Sequence, residues 1–98
     1  MPKSRCDKYP NTMQLLEAEI FARRRSNGIS QYALANKIGL SRNCIQQMEC
    51  HEHVPKAETI FDIMKALEFK AKENAVFVVK YLNAYYQDRE FQGKLEKE

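Results

Sequence analysis

The pattern of apolar and polar positions is clearest between residues 30 and 50, where it predicts two short helices joined by a tight turn. Ser30 and Ser41 are favourable N-cap residues, and Gly39 can adopt the positive φ that ends a helix. Apolar side chains recur every three or four residues and form the predicted packing face, which consists of Leu34, Ala35, Ile38, Ile45 and Met48. The second short helix, Ser41–Cys50, turns four hydrogen-bonding side chains outward: Arg42, Asn43, Gln46 and Gln47.

One further helix is predicted on each side of this pair. The first follows a cap at Asn11 or Thr12 and ends at Asn27–Gly28. The other begins at Glu58 or Thr59, because Pro55 stops a helix from continuing through the preceding loop. Its apolar stripe consists of Ile60, Ile63, Met64 and Leu67. The pattern therefore predicts an all-α fold, in which a compact four- to five-helix domain occupies residues 12–69 and a C-terminal extension follows it.

The extension, residues 70–91, carries more apolar side chains than one helix face needs. A helix from about Lys72 would turn a broad face toward the core, formed by Ala75, Val78, Val79, Leu82, Tyr85 and Tyr86. Apolar surface beyond the core face indicates burial by another chain, and the predicted dimer interface is Val76, Phe77, Tyr81 and Tyr85. The run at residues 75–79 is also compatible with a strand that pairs with its symmetry mate. We expect the helix, with a frayed tail over residues 92–98.

Length, cysteines and charge narrow the class of protein. A chain of 98 residues with 44% hydrophobic content suits one domain. Three cysteines without framework spacing (Cys6, Cys44, Cys50), and no signal-like or membrane-spanning run, predict a cytoplasmic protein. Residues 1–49 hold 8 Lys and Arg against 4 Asp and Glu, whereas residues 50–98 hold 8 against 9. The helix pair thus lies in the basic half, as expected of a surface that faces phosphate. Residues 1–11 are predicted to form a flexible basic arm.

The outward side chains of Ser41–Cys50 have the chemistry that recognises base edges in a major groove. Arg can donate two parallel bonds to guanine, and Asn or Gln can pair with adenine. No nucleophile with a base, no glycine-rich phosphate loop and no converging carboxylates can be assembled, so neither an enzyme nor a cofactor is expected. Residues 50–53 (Cys-His-Glu-His) are metal-ligand types, but adjacent positions in a short loop seldom converge on one ion. We expect a solvated loop without metal.

Residues 24–69 resemble the lambda-repressor-like helix-turn-helix domains, the Cro and xenobiotic-response-element group of transcription regulators. The resemblance is carried, at the family's spacing, by Arg24, Gly28-Ile29-Ser30-Gln31, Leu34-Ala35, Lys37-Ile38-Gly39-Leu40-Ser41, Ile45, Glu49, Pro55, Glu58-Thr59 and Ala66-Leu67. It implies a repressor-like regulator that binds double-stranded DNA as a homodimer, with Ser41–Cys50 as the recognition helix. Two positions depart from the family: His51 stands where many members have Gly, and the long aromatic segment after Phe69 replaces a short one. Dimer geometry therefore cannot be inherited.

The resemblance also implies roles for single residues. Arg42, Asn43 and Gln47 fall where the recognition helix meets base edges, and Gln46 falls where it meets a base or the backbone. Arg24 and Glu49 match a partly buried ion pair of the family, and Gln31 matches a glutamine that holds a phosphate. The other predicted phosphate contacts are Arg23, Arg25, Lys37, Ser41 and the basic arm. The alternative is an antitoxin or protein-interaction adaptor with the same fold, whose partner site is the C-terminal aromatic surface.

Overall fold

The computed structural model describes the backbone of residues 8–97 and the side chains of residues 8–90. The described residues form five helices and no strand, which confirms the all-α prediction and makes residues 75–79 helical. The first helix, α1, has three consecutive segments: α-helical Pro10–Leu16, π-helical Glu17–Phe21 and α-helical Ala22–Ser26. The others are α2 (Gln31–Ile38), α3 (Arg42–Glu49), α4 (Ala57–Ala66) and α5 (Ala71–Lys97). Most of the predicted basic arm, and Cys6, lie outside the described residues.

Helices α2 and α3 begin at their predicted caps. Ser30 Oγ accepts a hydrogen bond from the Ala33 amide at 3.0 Å, and Ser41 Oγ accepts one from the Cys44 amide at 3.2 Å. Gly39 ends α2 with a φ of 75°, in the left-handed region that favours glycine. The turn therefore contains only three residues between the two helices, which fixes their relative orientation.

One hydrophobic core joins all five helices. Its buried members are Met13, Leu16, Ile20, Phe21, Leu34, Ala35, Ile45, Met48, Ile60, Ile63, Met64, Leu67 and Phe77. The predicted packing face of α2 and α3 is buried as expected, except that Ile38 lies half-buried at its edge. Within the part of the chain that the structure describes, no helix combines the length and apolar character needed to cross a membrane.

Helix α1 begins at Pro10 and takes its N-terminal cap from the other end of the chain. The carboxylate of Asp88, which is fully buried on α5, accepts the amide of Asn11 at 3.1 Å and the amide of Thr12 at 2.9 Å. It also accepts the side-chain donors of both residues, at 2.9 and 2.7 Å. A negative charge is favourable at a helix N-terminus. The prediction that Asn11 or Thr12 caps α1 is therefore wrong, because both residues are donors inside the helix.

Helix α5 turns toward the core the face opposite to the one predicted. The inward residues are Phe77, Tyr81, Ala84 and Asp88, at spacings of four, three and four. The Phe77 ring stacks on Tyr81, with ring centroids 5.9 Å apart, and meets Phe69 edge-on. The rotation of α5 follows from its polar anchor, because Asp88 must point at the N-terminus of α1. Of the face that the sequence placed in the core, Val78 and Tyr85 are half-buried, and the exposed residues are Ala75, Val79, Leu82 and Tyr86.

This rotation also corrects the predicted dimer interface. Phe77 is 3% exposed inside the chain's own core, so it is not available to a partner. Tyr81 is half-buried against the same core, and Tyr85 is half-buried with its ring stacked on Tyr9 at 6.2 Å. Of the four predicted interface residues, Val76 is the one that remains exposed. Helix α5 also continues to Lys97, beyond the predicted helix end near Phe91.

Replacing Asp88 with Asn is expected to lower the free energy of unfolding by about 2–4 kcal/mol, because one of the two acceptor oxygens becomes an NH2 donor and two of the four donors at the start of α1 lose their acceptor. The control is Asp62→Asn on the exposed face of α4, with an expected change below about 0.5 kcal/mol. Urea unfolding measures both variants. Equal, small changes would contradict the Asp88 anchor.

Candidate nucleic-acid interface

The outward face of α3 presents four exposed side chains: Arg42, Asn43, Gln46 and Gln47. Among the residues that the structure describes, none offers these four a hydrogen bond or an ion pair. The opposite face of α3 is held by Ile45 and Met48, which are buried in the core. The donors and acceptors of the outward face are therefore available to an external ligand, on a helix that cannot rotate.

A buried ion pair fixes the C-terminal end of α3. Arg24 Nε lies 2.7 Å from Glu49 Oε2, and Arg24 Nη2 lies 2.7 Å from Glu49 Oε1. The remaining guanidinium nitrogen, Nη1, donates to the carbonyl oxygen of Ile29 at 2.6 Å. This planar group thus ties α1 and the loop before α2 to the end of α3. A bidentate arginine pair gives directional specificity that a point charge would not give.

The same carboxylate brings two predicted phosphate contacts to this end of α3. Gln31 Nε2 donates to Glu49 Oε1 at 3.3 Å, and Arg25 Nη1 lies 3.5 Å from that oxygen. Arg25 also pairs with Glu17 at 2.8 Å and keeps nearly half of its side chain exposed. Gln31 and Arg25 therefore border the outward face of α3, from the first turn of α2 and the last turn of α1.

Ser41 is exposed, but its hydroxyl is already engaged. The oxygen accepts the Cys44 amide and lies 3.3 Å from the Cys44 sulfur. Cys44 and Cys50 are free cysteines. A phosphate at Ser41 would therefore have to share the hydroxyl with its capping role.

Arg23, another predicted phosphate contact, is engaged by an acidic residue of its own chain, so its contact with phosphate stays a prediction. Its guanidinium forms a two-pronged ion pair with Glu73 on α5 and lies 4.0 Å from the centre of the Phe69 ring. The hydrogen bond from Arg23, followed by one from the Lys70 amide, lowers the pKa of Glu73 to about 2. The carboxylate is therefore charged at neutral pH, and Arg23 joins α1 to α5 instead of facing outward.

Two further residues of α2 complete the surface. Lys37 lies in a shallow depression beside α4, together with Ile38, Asp62, Lys65, Ala66 and Glu68. The carboxylates of Asp62 and Glu68 weaken the attraction of Lys37 for phosphate. The phosphate contact of Lys37 stays a prediction. Tyr32 was not predicted, although it follows Gln31 in the first turn of α2 and is 64% exposed. Its position outside the apolar stripe of α2 was the available signal.

The turn that follows α3 contains a residue in a strained conformation. His51 has a φ of 60°, and its amide donates to the Met48 carbonyl at 3.2 Å. The Glu52 amide donates to the Gln47 carbonyl at 2.9 Å. These two bonds form the motif that glycine usually provides at a helix C-terminus. His51, which stands where many of the resembling domains have Gly, therefore adopts the left-handed conformation, at a steric cost for a residue with a Cβ atom.

Comparisons with known proteins address the central part of the chain. A family model described as helix-turn-helix matches residues 20–73, which is more than half of the chain. The matched segment contains all of α2, α3 and α4 and therefore the whole of the outward α3 face. No curated protein and no solved structure matches the chain.

Replacing His51 with Gly is expected to raise the free energy of unfolding by about 1 kcal/mol, because glycine enters the left-handed region without a Cβ clash. Glu68 has the same φ of 60° after α4, so Glu68→Gly should give a similar gain. His53→Gly is the control, since His53 has no positive φ and should gain nothing. Urea unfolding tests all three, and a destabilised His51→Gly would show that the histidine side chain contributes more than its strain costs.

Proposed function

Because the chain belongs to the helix-turn-helix family of Cro and lambda-repressor type, whose members are DNA-binding transcription regulators, we propose that it recognises specific double-stranded DNA sequences as a repressor-like homodimer. The observation that carries the proposal is the outward face of α3, with four hydrogen-bonding side chains that have no partner among the described residues. The Arg24–Glu49 pair and the buried face hold that surface in one orientation. A rigid helix with unsatisfied donors and acceptors suits a groove that carries a fixed hydrogen-bond pattern.

Sequence recognition is assigned to the α3 side chains. Arg42 would donate two parallel bonds to the O6 and N7 atoms of a guanine. Asn43 and Gln47 would each pair with the N6 and N7 edge of an adenine, and Gln46 would contact a base or the backbone. Each well-formed pair of bonds discriminates by about 1–3 kcal/mol against a wrong base. Three such contacts per copy are enough to define a short half-site.

The residues that border α3 would contact phosphates and so set the position of the protein along the duplex. Gln31 lies in the first turn of α2, where the amide groups and the helix dipole favour an anion. Arg25 adds a partly exposed positive charge on the same side of Glu49. The Tyr32 hydroxyl extends the donor surface beside Gln31. Such contacts orient the protein on phosphates and carry no sequence information themselves.

A homodimer would place one α3 helix in each half-site of an inverted repeat. Two copies that contact the same side of the duplex need half-site centres about 34 Å apart, which is one turn of DNA. Occupancy of such an operator represses by excluding other proteins from that DNA. Selection of bound duplexes from a random pool tests the proposal. We expect an enriched inverted repeat, whereas failure to enrich any motif would contradict sequence-specific binding.

Asn43→Ala and Gln47→Ala are each expected to weaken binding to the selected duplex by about 1–3 kcal/mol and to relax the preference at one base pair, while binding to random DNA changes little. Gln14→Ala on the exposed side of α1 is the matched control and should leave both affinities unchanged. Fluorescence anisotropy on selected and random duplexes at one salt concentration measures the effect. Equal losses on both duplexes would assign the two residues to the backbone instead.

A further inference from the structure

We propose that a second copy of this chain packs in antiparallel orientation on an exposed apolar stripe of α5, formed by Ala75, Val79, Leu82 and Tyr86. The proposal rests on the proposed function in one respect, because it names the surface that joins the two copies invoked there. It concerns the protein without DNA, so it can fail or succeed independently of DNA recognition.

The stripe is continuous and uncharged. Its residues follow at spacings of four, three and four, so that they share one side of the helix, about opposite the inward residues of α5. Val79, Leu82 and Tyr86 are 60%, 44% and 59% exposed. Between residues 75 and 86 the one charged side chain is Lys80, whose ammonium lies 2.9 Å from Glu19 of α1. The side of α5 that faces away from the core is therefore apolar surface in water.

The alternation of four and three is the spacing at which one helix packs against another along a straight seam. The stripe spans about 16 Å of a helix that is about 40 Å long, since each residue rises 1.5 Å. The partner surface should therefore be a helix of similar length with apolar residues at the same spacing. Helix α5 of a second copy has both properties.

The order of residues along the stripe makes it complementary to itself in antiparallel orientation. A twofold axis midway between residues 80 and 81 sets Ala75 opposite Tyr86 of the partner subunit, and Val79 opposite Leu82 of the partner subunit. The smallest member then faces the largest at both ends, and two aliphatic residues of medium size meet in the middle. Such alternation of volumes allows close packing without a cavity.

Charge at the ends of the stripe selects the same orientation. Lys72 and Glu90 lie on the same edge of α5, both exposed and without an ion pair among the described residues. The antiparallel arrangement brings Lys72 beside Glu90 of the partner subunit, and this contact occurs twice in a symmetric dimer. In a parallel arrangement the twofold axis would run along the helices and place the two copies of Lys72, like the two copies of Glu90, on opposite edges of the seam at the same height, so neither residue would meet the other's opposite charge.

Sedimentation equilibrium of the full chain without DNA tests the surface. We expect a dimer at micromolar concentration, and Val79→Asp/Leu82→Asp should weaken it by more than about 100-fold, because four carboxylates would be buried at the seam. Phe61→Asp, which alters an exposed apolar residue on α4, is the control and should dimerise as the wild type does. Circular dichroism establishes that each variant is folded. A monomeric wild type, or a dimer indifferent to the double substitution, would overturn the proposal.

A charge exchange tests the orientation and remains informative if the aspartate variant does not fold. Lys72→Glu and Glu90→Lys should each weaken the dimer by about 2- to 30-fold, as two surface ion pairs are lost. The combined variant restores opposite charges and should recover the affinity, and high salt should reduce all these differences. Failure to recover would overturn the antiparallel pairing. Half-site binding by a monomeric variant would show that DNA recognition survives loss of this interface.

Discussion

The buried contact between Arg24 and Glu49 is the constraint on which the arrangement of the candidate interface depends. Two hydrogen bonds join Arg24 of α1 to Glu49, the last residue of α3, and a third joins Arg24 to the Ile29 carbonyl, so Arg24 sets both the distance and the rotation of α3 relative to the rest of the domain. Glu49 also orients Gln31 and Arg25. Desolvation of two charges offsets much of their attraction, so the pair contributes more to geometry than to net stability.

A second set of hydrogen bonds and ion pairs, between α1 and α5, fixes the orientation of α5. Asp88 accepts four hydrogen bonds from the start of α1, while Glu73 and Lys80 pair with Arg23 and Glu19 farther along the same helix. These anchors determine which side of α5 reaches the core. They bury Phe77 and leave a second apolar side exposed, so one helix can complete the domain and still offer a surface to another chain.

The helix pair could be predicted from the sequence because its determinants are local. Ser30, Gly39 and Ser41 specify caps and turn within a few residues, and the apolar period identifies the buried face. The side of α5 that packs could not be predicted, since both sides are apolar and the deciding acceptor, Asp88, bonds to residues 76 and 77 positions away. Three consecutive arginines posed the same difficulty. Local sequence cannot show that Arg23 pairs with Glu73, Arg24 with Glu49 and Arg25 with Glu17.

Replacing both members of the central pair, as Arg24→Met/Glu49→Leu, separates a contribution of the pair to stability from a contribution to the orientation of α3. Each single replacement leaves a buried charge unpaired and should lower the free energy of unfolding by about 3–5 kcal/mol, whereas the double variant should regain most of that stability. The decisive measurement is the ratio of the double variant's affinities for the selected and a random duplex. We expect a folded protein whose ratio falls at least about tenfold, because α3 is no longer held in one orientation. A folded double variant with the wild-type ratio would contradict a geometric role for the pair.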